Sequence, residues 1–447
     1  MKIIVNKETY KDCAGNGCSR DGGDMRFAVY KHKLVYKDTE LIQRSMIVLK
    51  KDDEILAWTD FHKYVRGGGS RSVASDNTPA ANNIVKLLNY VFFDQYHIDK
   101  LTDIKKEMVR DFLNDYGLCR LTGDTQNAHR AKSTVERCIA NVIDFLEEML
   151  RQNTGCKMKI SDLYTQEKKY SKQKRRYITI RKPTFEVLYG NEVRPMLRDL
   201  PEKVFQIIFN RIMTIYPNLL MLAALGAFAG LRPSEACNVR RADSPLGAGI
   251  HFEMADGKIK NIFIDLKKEL VLRSDLVSVG KIKKERIQRV YPAFLEVFYA
   301  CYQRYMSYIQ GRKYEAKYGA LTLTRDGKAF TYDSYRKAFH DVVEACIPEM
   351  LASNDFEVVT YGQLLMENKI SPHIFRHWFS VKLTLYGEGV EGLMYWRGDK
   401  SPESAITYIN NKSDLERQYE KVSSEIFNYS LWKSEKRQMA LKEGMHD

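Results

Sequence analysis

The sequence predicts a multidomain, mainly α protein whose last large domain adds a small β-hairpin sheet. Three observations lead to this fold class. The chain has 447 residues, which is long for one hydrophobic core. Hydrophobic residues make up 44% of it, enough to fill packed cores. Apolar residues recur at helical spacing after residue 77, whereas strand-like alternation is confined to short stretches.

The N-terminal region, residues 1–75, shows the weakest pattern. Short strand-like pieces lie at 27–30 and 45–49, and a glycine-rich string follows at 66–70. A helical domain is predicted over 76–165. Its first helix has Thr78 as the N-cap and Pro79 at the first helical position, and its third helix opens with a Ser133-x-x-Glu136 capping box.

Residues 166–182 are predicted to be a basic interdomain linker. The segment holds eight basic residues and one acidic residue, with two tyrosines among them. Such a charge run fits a solvated linker or a hinge that follows a phosphate backbone. The residues we expect to contact DNA here are Lys172, Lys174, Arg175 and Arg176.

The third domain is predicted over 176–425 and is followed by a polar tail at 426–447. Helices are expected at 202–213, 219–229, 294–309 and 332–346. The segment 276–290 is predicted to be strand, turn and strand, with a lysine-rich turn.

Charge and composition indicate the kind of partner and argue against membrane, secreted and metal-binding proteins. The net charge of +14 favours a polyanionic partner. The longest apolar run, 219–231, has 13 residues, fewer than the roughly 20 that a membrane-spanning helix needs. The N-terminus lacks the apolar stretch of a secretory signal. The eight cysteines are scattered without paired metal-site spacing. We therefore expect a cytoplasmic protein with free thiols, no membrane span and no structural metal.

Two arginine motifs are the first candidates for chemistry. Arg232 follows an apolar helix, and Glu235 three residues later can lie beside its guanidinium, either as a helix-end ion pair or to orient the arginine for a phosphate. His373, Arg376 and His377 occupy positions i, i+3 and i+4 of a helix. Two such histidines resemble a zinc helix, but the glutamate of that motif is absent, so phosphate recognition by the arginine fits better. A histidine pair of the core or surface, without a functional role, is the alternative.

A lysine and a tyrosine complete the set. Lys281 lies in the predicted turn with Lys283 and Lys284, where a lysine can reach a phosphate and protonate a leaving oxygen, although charged turns are also common for solubility. Tyr408 follows a Ser-Pro helix start, and a packed tyrosine is its simplest interpretation when it is taken alone. Together these residues suit attack of a tyrosine on a phosphodiester, with arginines that neutralise the developing charge.

The ordered motifs resemble those of the tyrosine recombinases, the phage-integrase family. GLRPSE around Arg232, VGKIKKER around Lys281 and SPHIFRHWF around Arg376 are similar to the arginine, lysine and His-x-x-Arg-His boxes. RGDKSPESAITYI is similar to the closing segment, with Tyr408 at the nucleophile position. The family's Leu-Gly-His is here Arg397-Gly398-Asp399, so an aspartate stands where a histidine or tryptophan is usual.

The resemblance implies a site-specific DNA recombinase with a helical, SAM-like core-binding domain and an α+β catalytic domain. It implies catalysis by Arg232, Lys281, His373, Arg376 and Tyr408. Glu235, His377 and Asp399 would support them, and Lys283 and Lys284 would contact DNA. No cofactor, metal or ATP is expected. The implied partners are double-stranded DNA, three further subunits in a homotetramer on two sites, and an accessory DNA-bending or excision factor.

One domain assignment and two alternative functions stay open. Residues 1–75 would be an arm-site DNA-binding domain if the chain follows many integrases. A type IB topoisomerase uses related chemistry, but the His-x-x-Arg-His box and the helical domain favour a recombinase. A DNA-binding protein that kept the fold and lost catalysis is suggested by Asp399 alone.

Overall fold

The fold is described from a computed structural model of the chain. The described residues are 25–36, 39–52, 54–65, 78–124, 129–171, 176–190, 200–313, 315–399, 402 and 405–406. They confirm a mainly helical chain with small antiparallel sheets. The chain divides into two compact units, one of residues 1–34 and 42–194 and the other of residues 35–41 and 195–447.

The first unit begins with a three-stranded sheet in the order β1-β2-β3. Its strands are β1 (Met25–Tyr36), β2 (Glu40–Lys51) and β3 (Glu54–Trp58), and a short 3-10 turn, Phe61–Tyr64, follows. The strands predicted at 27–30 and 45–49 are confirmed as parts of β1 and β2. The buried side chains of the sheet are Phe27 of β1 and Ser45, Ile47, Val48 and Leu49 of β2, so burial along 47–49 is continuous rather than alternating.

Three helices pack with this sheet in one hydrophobic core. They are α1 (Thr78–Asn89), α2 (Lys106–Gly117) and α3 (Lys132–Gln152), and one π-helical turn, Tyr90–Asp94, extends α1. Phe27 of β1 meets Phe92 edge to face, with ring centroids 5.3 Å apart. Because the described part of residues 1–75 shares this core, it is packed with the helical domain; an arm-site role for the region stays a prediction.

The predicted capping box of the third helix is wrong. The helix begins at Lys132 with Ala131 as its N-cap, two residues earlier than a box with Ser133 as the N-cap requires, and no side chain caps it. Ser133 therefore lies inside the first turn.

Where a linker is expected, the structure has an antiparallel β-hairpin of β4 (Tyr164–Ser171) and β5 (Arg176–Pro183). Its base is attached to α3, because the Tyr164 hydroxyl donates to Glu147 over 2.9 Å. Near its tip Tyr170 pairs with Tyr177, and the two rings are 5.4 Å apart. Sequence reasoning missed these strands because closely spaced lysines obscure the alternation. Lys172, Lys174 and Arg175 lie outside the described residues.

The second unit is built mainly of helices around an apolar core. Its helices are α4 (Glu202–Thr214), α5 (Leu220–Ala229), α6 (Pro233–Ala236), α7 (Leu295–Ile309), α8 (Tyr332–Leu351), α9 (Phe356–Glu367), α10 (His373–Leu385) and α11 (Val390–Arg397). The four helices predicted from periodicity are confirmed, with α8 extending to Leu351. Helix α5 is buried along its whole length, which explains its uninterrupted apolar sequence.

A three-stranded sheet, in the order β6-β7-β8, completes this unit. Its strands are β6 (Ile250–Ala255), β7 (Lys258–Leu266) and β8 (Arg286–Arg289). The predicted strand at 276–279 is wrong, because β8 pairs with β7 instead. Residue 279 makes a hydrogen bond outside the sheet instead: the Val279 carbonyl accepts from Tyr332 N over 2.7 Å. Local alternation does not identify the strand with which a segment will pair.

Two findings concern the expectations about membrane spans and metal sites. Among the described residues, no single helix is long and apolar enough to cross a membrane; one pair, bent by 112°, passes that test only when its two helices are combined. The same residues contain no group of three or more histidine, cysteine or acidic side chains placed to hold a metal ion.

Short 3-10 turns also occur at Leu101–Asp103, Ile160–Asp162, Pro217–Leu219, Pro292–Phe294 and Ala316–Tyr318.

Candidate active site

Two glycines allow α5 and α10 to approach closely. A Cβ atom on Gly226 would lie 3.0 Å from the Cβ of Phe375. Gly230, which ends α5, has φ of +64° and would place a Cβ 2.5 Å from the Phe379 ring. Only glycine combines this backbone conformation with this packing. The contact brings the chain after α5 beside the first turns of α10.

Arg232 leaves this helix end as the N-cap of the one-turn helix α6. Its backbone N–H donates to Glu235 Oε2 over 3.2 Å, and its Nη1 donates to Glu235 Oε1 over 3.1 Å. The predicted pairing of Arg232 with Glu235 is therefore present. The glutamate orients the guanidinium, because the same carboxylate holds both the main chain and the side chain of the arginine.

Glu235 is fully buried and binds a second arginine, Arg286 of β8. Its carboxylate accepts from Arg286 Nη2 over 2.9 Å and from Nη1 over 3.2 Å. Burial opposes ionisation of Glu235, but the hydrogen bond and charge of Arg286 and the charges of Arg232 and Arg376 outweigh it. The pKa of the carboxyl is therefore held below its ordinary value.

Arg376 is the most buried arginine of the site, with 1% of its surface exposed. Its Nη1 donates to the carbonyls of Gly230 and Arg397, the latter over 2.8 Å, and its Nη2 donates to Asp399 Oδ1 over 2.7 Å. Burial lowers the pKa of Arg376 to about 9, and the charges of Arg232 and Arg397 act in the same direction. The side chain is still protonated near pH 7, so it presents a fixed, buried positive charge.

Asp399 brings the two predicted arginines together. Its Oδ1 accepts from Arg232 Nη2 over 2.5 Å as well as from Arg376 Nη2. Its Oδ2 lies 3.1 Å from Nε of Arg397. Arginines that are distant in the sequence thus point at one carboxylate, with both of its oxygens in contact with a guanidinium.

His373 and His377 lie on α10 with their rings in edge-to-face contact, 4.9 Å between centroids. Burial, followed by the nearby charges of His377, Arg376, Arg397 and Arg232, lowers the pKa of His373 to about 3. His373 is therefore neutral near pH 7, so one of its ring nitrogens donates a hydrogen bond and the other accepts one.

The lysine segment reaches the site by its backbone. The Ser234 hydroxyl donates to the Lys281 carbonyl over 2.9 Å, and a Cβ on Gly280 would lie 2.4 Å from the Ser234 carbonyl oxygen. Lys281 and Lys283 are exposed and Lys284 is half-buried. Lys281 thus belongs to an extended segment that leads into β8 beside α6, rather than to a hairpin tip.

The predicted nucleophile, Tyr408, lies outside the described residues. The described part of its segment consists of Pro402, Ala405 and Ile406, with Ala405 fully buried and a helical hydrogen bond of 2.8 Å from Ile406 N to the Pro402 carbonyl.

No known family profile matches the sequence, and no curated protein matches it. Solved structures do show similarity. The XerH site-specific recombinase bound to difH has 15% identity and a TM-score of 0.43, over 74% of this chain and 76% of that one. The Tn1549 transposon integrase with circular intermediate DNA has 14% identity and a TM-score of 0.46, over 78% and 93%. A lambda integrase dimer on a core site has 11% identity and a TM-score of 0.43, over 78% and 75%.

These three structures are those of a site-specific recombinase and two integrases.

Two residues of the site were missed by sequence reasoning. Arg286 ends the lysine-containing motif of the recombinase pattern, and Arg397 stands where that pattern has leucine. The departures at Arg397 and Asp399 belong together in space, because the two side chains form an ion pair. A paired change from Leu and His to Arg and Asp was the available signal.

The assembled site is a mostly buried cluster of arginines and carboxylates. It holds four arginines (232, 286, 376 and 397) and two carboxylates (235 and 399), which leaves a net charge of +2. Guanidinium groups that converge in a mostly buried place bind carboxylate or phosphate oxygens strongly, because little solvent competes with them.

Proposed function

We propose that this protein is a site-specific DNA recombinase that cuts and rejoins duplex DNA through a 3′-phosphotyrosine intermediate. The observation that carries the proposal is the convergence of Arg232 and Arg376 on one oxyanion, the Oδ1 atom of Asp399. Donors fixed in this way stabilise negative charge as it develops on a phosphate in the transition state.

The chemistry assigns one role to each residue. The Tyr408 oxygen attacks phosphorus, the bond to the 5′ oxygen breaks, and the DNA 3′ phosphate becomes joined to the tyrosine. Lys281 gives a proton to the leaving 5′ oxygen, and neutral His373 assists proton transfer. Arg232 and Arg376 bind the non-bridging oxygens. A 5′-hydroxyl of the partner strand then attacks the phosphotyrosine, so rejoining needs no ATP.

The β4–β5 hairpin supports a DNA-contacting surface outside the site. Tyr170 and Tyr177 are 50% and 72% exposed, and Lys168 lies on the same face of the ribbon as Tyr170. A two-stranded ribbon fits the major groove of DNA, and its basic residues suit the phosphates beside it. The DNA-contacting residues proposed here are Lys172, Lys174, Arg175, Arg176, Lys283 and Lys284.

Assembly and location complete the proposal. Strand exchange would take place in a homotetramer on two DNA sites in the cytoplasm, with an accessory DNA-bending or excision factor to set its direction.

The test is covalent capture on nicked suicide duplexes that carry candidate sites from DNA beside the gene, in buffer with EDTA. We expect an SDS-resistant protein–DNA adduct in the wild type and none in Tyr408→Phe, because that change removes only the attacking hydroxyl. Tyr395→Phe is the matched control, since Tyr395 is exposed and close in sequence. It should retain the adduct.

Each outcome separates the alternatives. An undiminished adduct in Tyr408→Phe would move the nucleophile to Tyr395 or Tyr419. Tight binding without an adduct, on a site established by footprinting, would indicate a DNA-binding protein that has lost catalysis. Supercoil relaxation without strand exchange would indicate a topoisomerase.

A further inference from the structure

We propose that Asp399 is an internal stand-in for the DNA phosphate, which occupies the arginine site in the absence of DNA and must be displaced for catalysis. This inference rests on the proposed function and adds a means of regulating the same site. It makes Asp399 a positioning residue, which acts through Arg232 and Arg376.

The first argument is geometric. A phosphodiester presents two non-bridging oxygens that share one negative charge, and a carboxylate presents two oxygens with the same total charge. Both oxygens of Asp399 lie against guanidinium groups, Oδ1 against two of them and Oδ2 against a third. The arginine donors assigned to the DNA phosphate are thus already satisfied by a side chain.

The second argument concerns charge. The four arginines and two carboxylates carry a net charge of +2 within a largely buried cluster. An arginine site without a counter-ion would be strained by repulsion and by loss of hydration. Asp399 reduces that penalty while DNA is absent, and a phosphodiester would restore the same net charge when the aspartate moves aside.

The third argument is the position of Asp399 in the chain. Helix α11 ends at Arg397, and Gly398 follows with φ of +63° in a left-handed cap. Asp399 therefore lies immediately beyond a helix end, in the segment that leads toward Tyr408. Because Asp399 stands beyond the helix, its side chain can turn away from the arginines while α11 stays intact.

The test measures binding of inorganic phosphate without DNA. We expect phosphate to raise the melting temperature of Asp399→Asn well above the effect of chloride at the same ionic strength, and to have little effect on the wild type. The apparent affinity should be at least about tenfold higher in the variant, the factor expected if the carboxylate occupies the site in nine of ten molecules.

A matched control removes a different aspartate from an arginine pair. Asp265 accepts from Arg240 over 2.8 Å in the same unit, and Arg240 also donates to two backbone carbonyls. Asp265→Asn should show no phosphate-specific stabilisation. An equal effect in both variants would mean that any unpaired arginine binds phosphate, and it would overturn the proposal.

A second variant covers the case in which Asp399→Asn does not fold. Arg397→Leu combined with Asp399→His removes one positive and one negative charge, which keeps the net charge of the cluster. It should bind phosphate more tightly than the wild type and should form the DNA adduct at least as fast. Wild-type protein that already binds phosphate as tightly as these variants would also refute the proposal.

The outcomes distinguish this inference from the proposed function. A wild-type adduct without enhanced phosphate binding in the variants would leave the recombinase intact and reject the stand-in role. Enhanced phosphate binding in the variants, with no adduct from any form of the protein, would support the stand-in and reject the cleavage chemistry.

Discussion

Glu235→Gln tests the organisation of the site most directly. The two oxygens of Glu235 accept four hydrogen bonds, two from Arg232 and two from Arg286. Glutamine keeps one acceptor oxygen and turns an NH2 group toward the donors. Breaking a buried ion pair from one side destabilises a protein by about 3–5 kcal/mol, and glutamine keeps part of the contact, so we expect a loss of about 3 kcal/mol.

The assay is denaturant unfolding followed by fluorescence, for wild type and variant across a range of pH. The pKa of Glu235 is lowered by folding, so its contribution is fully present at neutral pH and is lost as pH falls through the lowered pKa. The difference in unfolding free energy between wild type and variant should therefore be constant near neutrality. It should narrow in acid, below the ordinary carboxyl range near pH 4.5.

The control is Glu202→Gln, at another buried carboxylate of the same unit. Glu202 Oε2 accepts from Trp378 Nε1 and lies near Lys382 Nζ, both at 3.0 Å. This change should also reduce stability but leave the rate of DNA adduct formation unchanged, whereas Glu235→Gln should lower that rate. A stability loss below about 1 kcal/mol for Glu235→Gln at pH 7, or a difference that grows in acid, would contradict the buried-pair account.

Three further predictions address other parts of the structure. Arg376→Lys should lower the rate of adduct formation by about 100-fold or more, because lysine lacks the forked donors; a rate within tenfold of wild type would contradict this. Gly398→Ala should destabilise the protein by at least about 1 kcal/mol in denaturant unfolding, because the residue has positive φ and the new Cβ would lie 2.3 Å from Arg286 Nε. Lys168→Gln with Arg176→Gln should reduce the slope of log affinity against log salt by about 2, equally on specific and random DNA, if both residues neutralise phosphates.

The fold was predictable where the pattern was local. The periodicity of apolar residues located four helices of the second unit, α4, α5, α7 and α8, to within a few residues, because a helix with an apolar face must bury that face against some other part of the protein. Helix α9 was not predicted. The β4–β5 hairpin and the partner of β8 were not predictable, because strand pairing depends on contacts between distant segments.

The candidate site was likewise predictable where its residues lie close together in the sequence. The residue types and their order indicated Arg232 with Glu235 as one motif and His373 with Arg376 as another. The role of Arg286 could not be derived, since a single basic residue is not distinctive in a chain with 71 lysines and arginines, and Arg397 was visible only as a departure from the family's leucine. Asp399 was visible only as a departure from a pattern, with no indication of its partners.

The sequence by itself determined the chemistry available to this protein: a basic, mainly helical chain with paired arginines, a histidine, a lysine and a late tyrosine in a recombinase-like order. Only the tertiary structure decided which of these groups meet. Close packing of α5 on α10, made possible by Gly226 and Gly230, brings Arg232 and Arg376 to one carboxylate. Ion pairs act over a few ångströms, so a site built from distant segments exists only once the core that aligns them has formed.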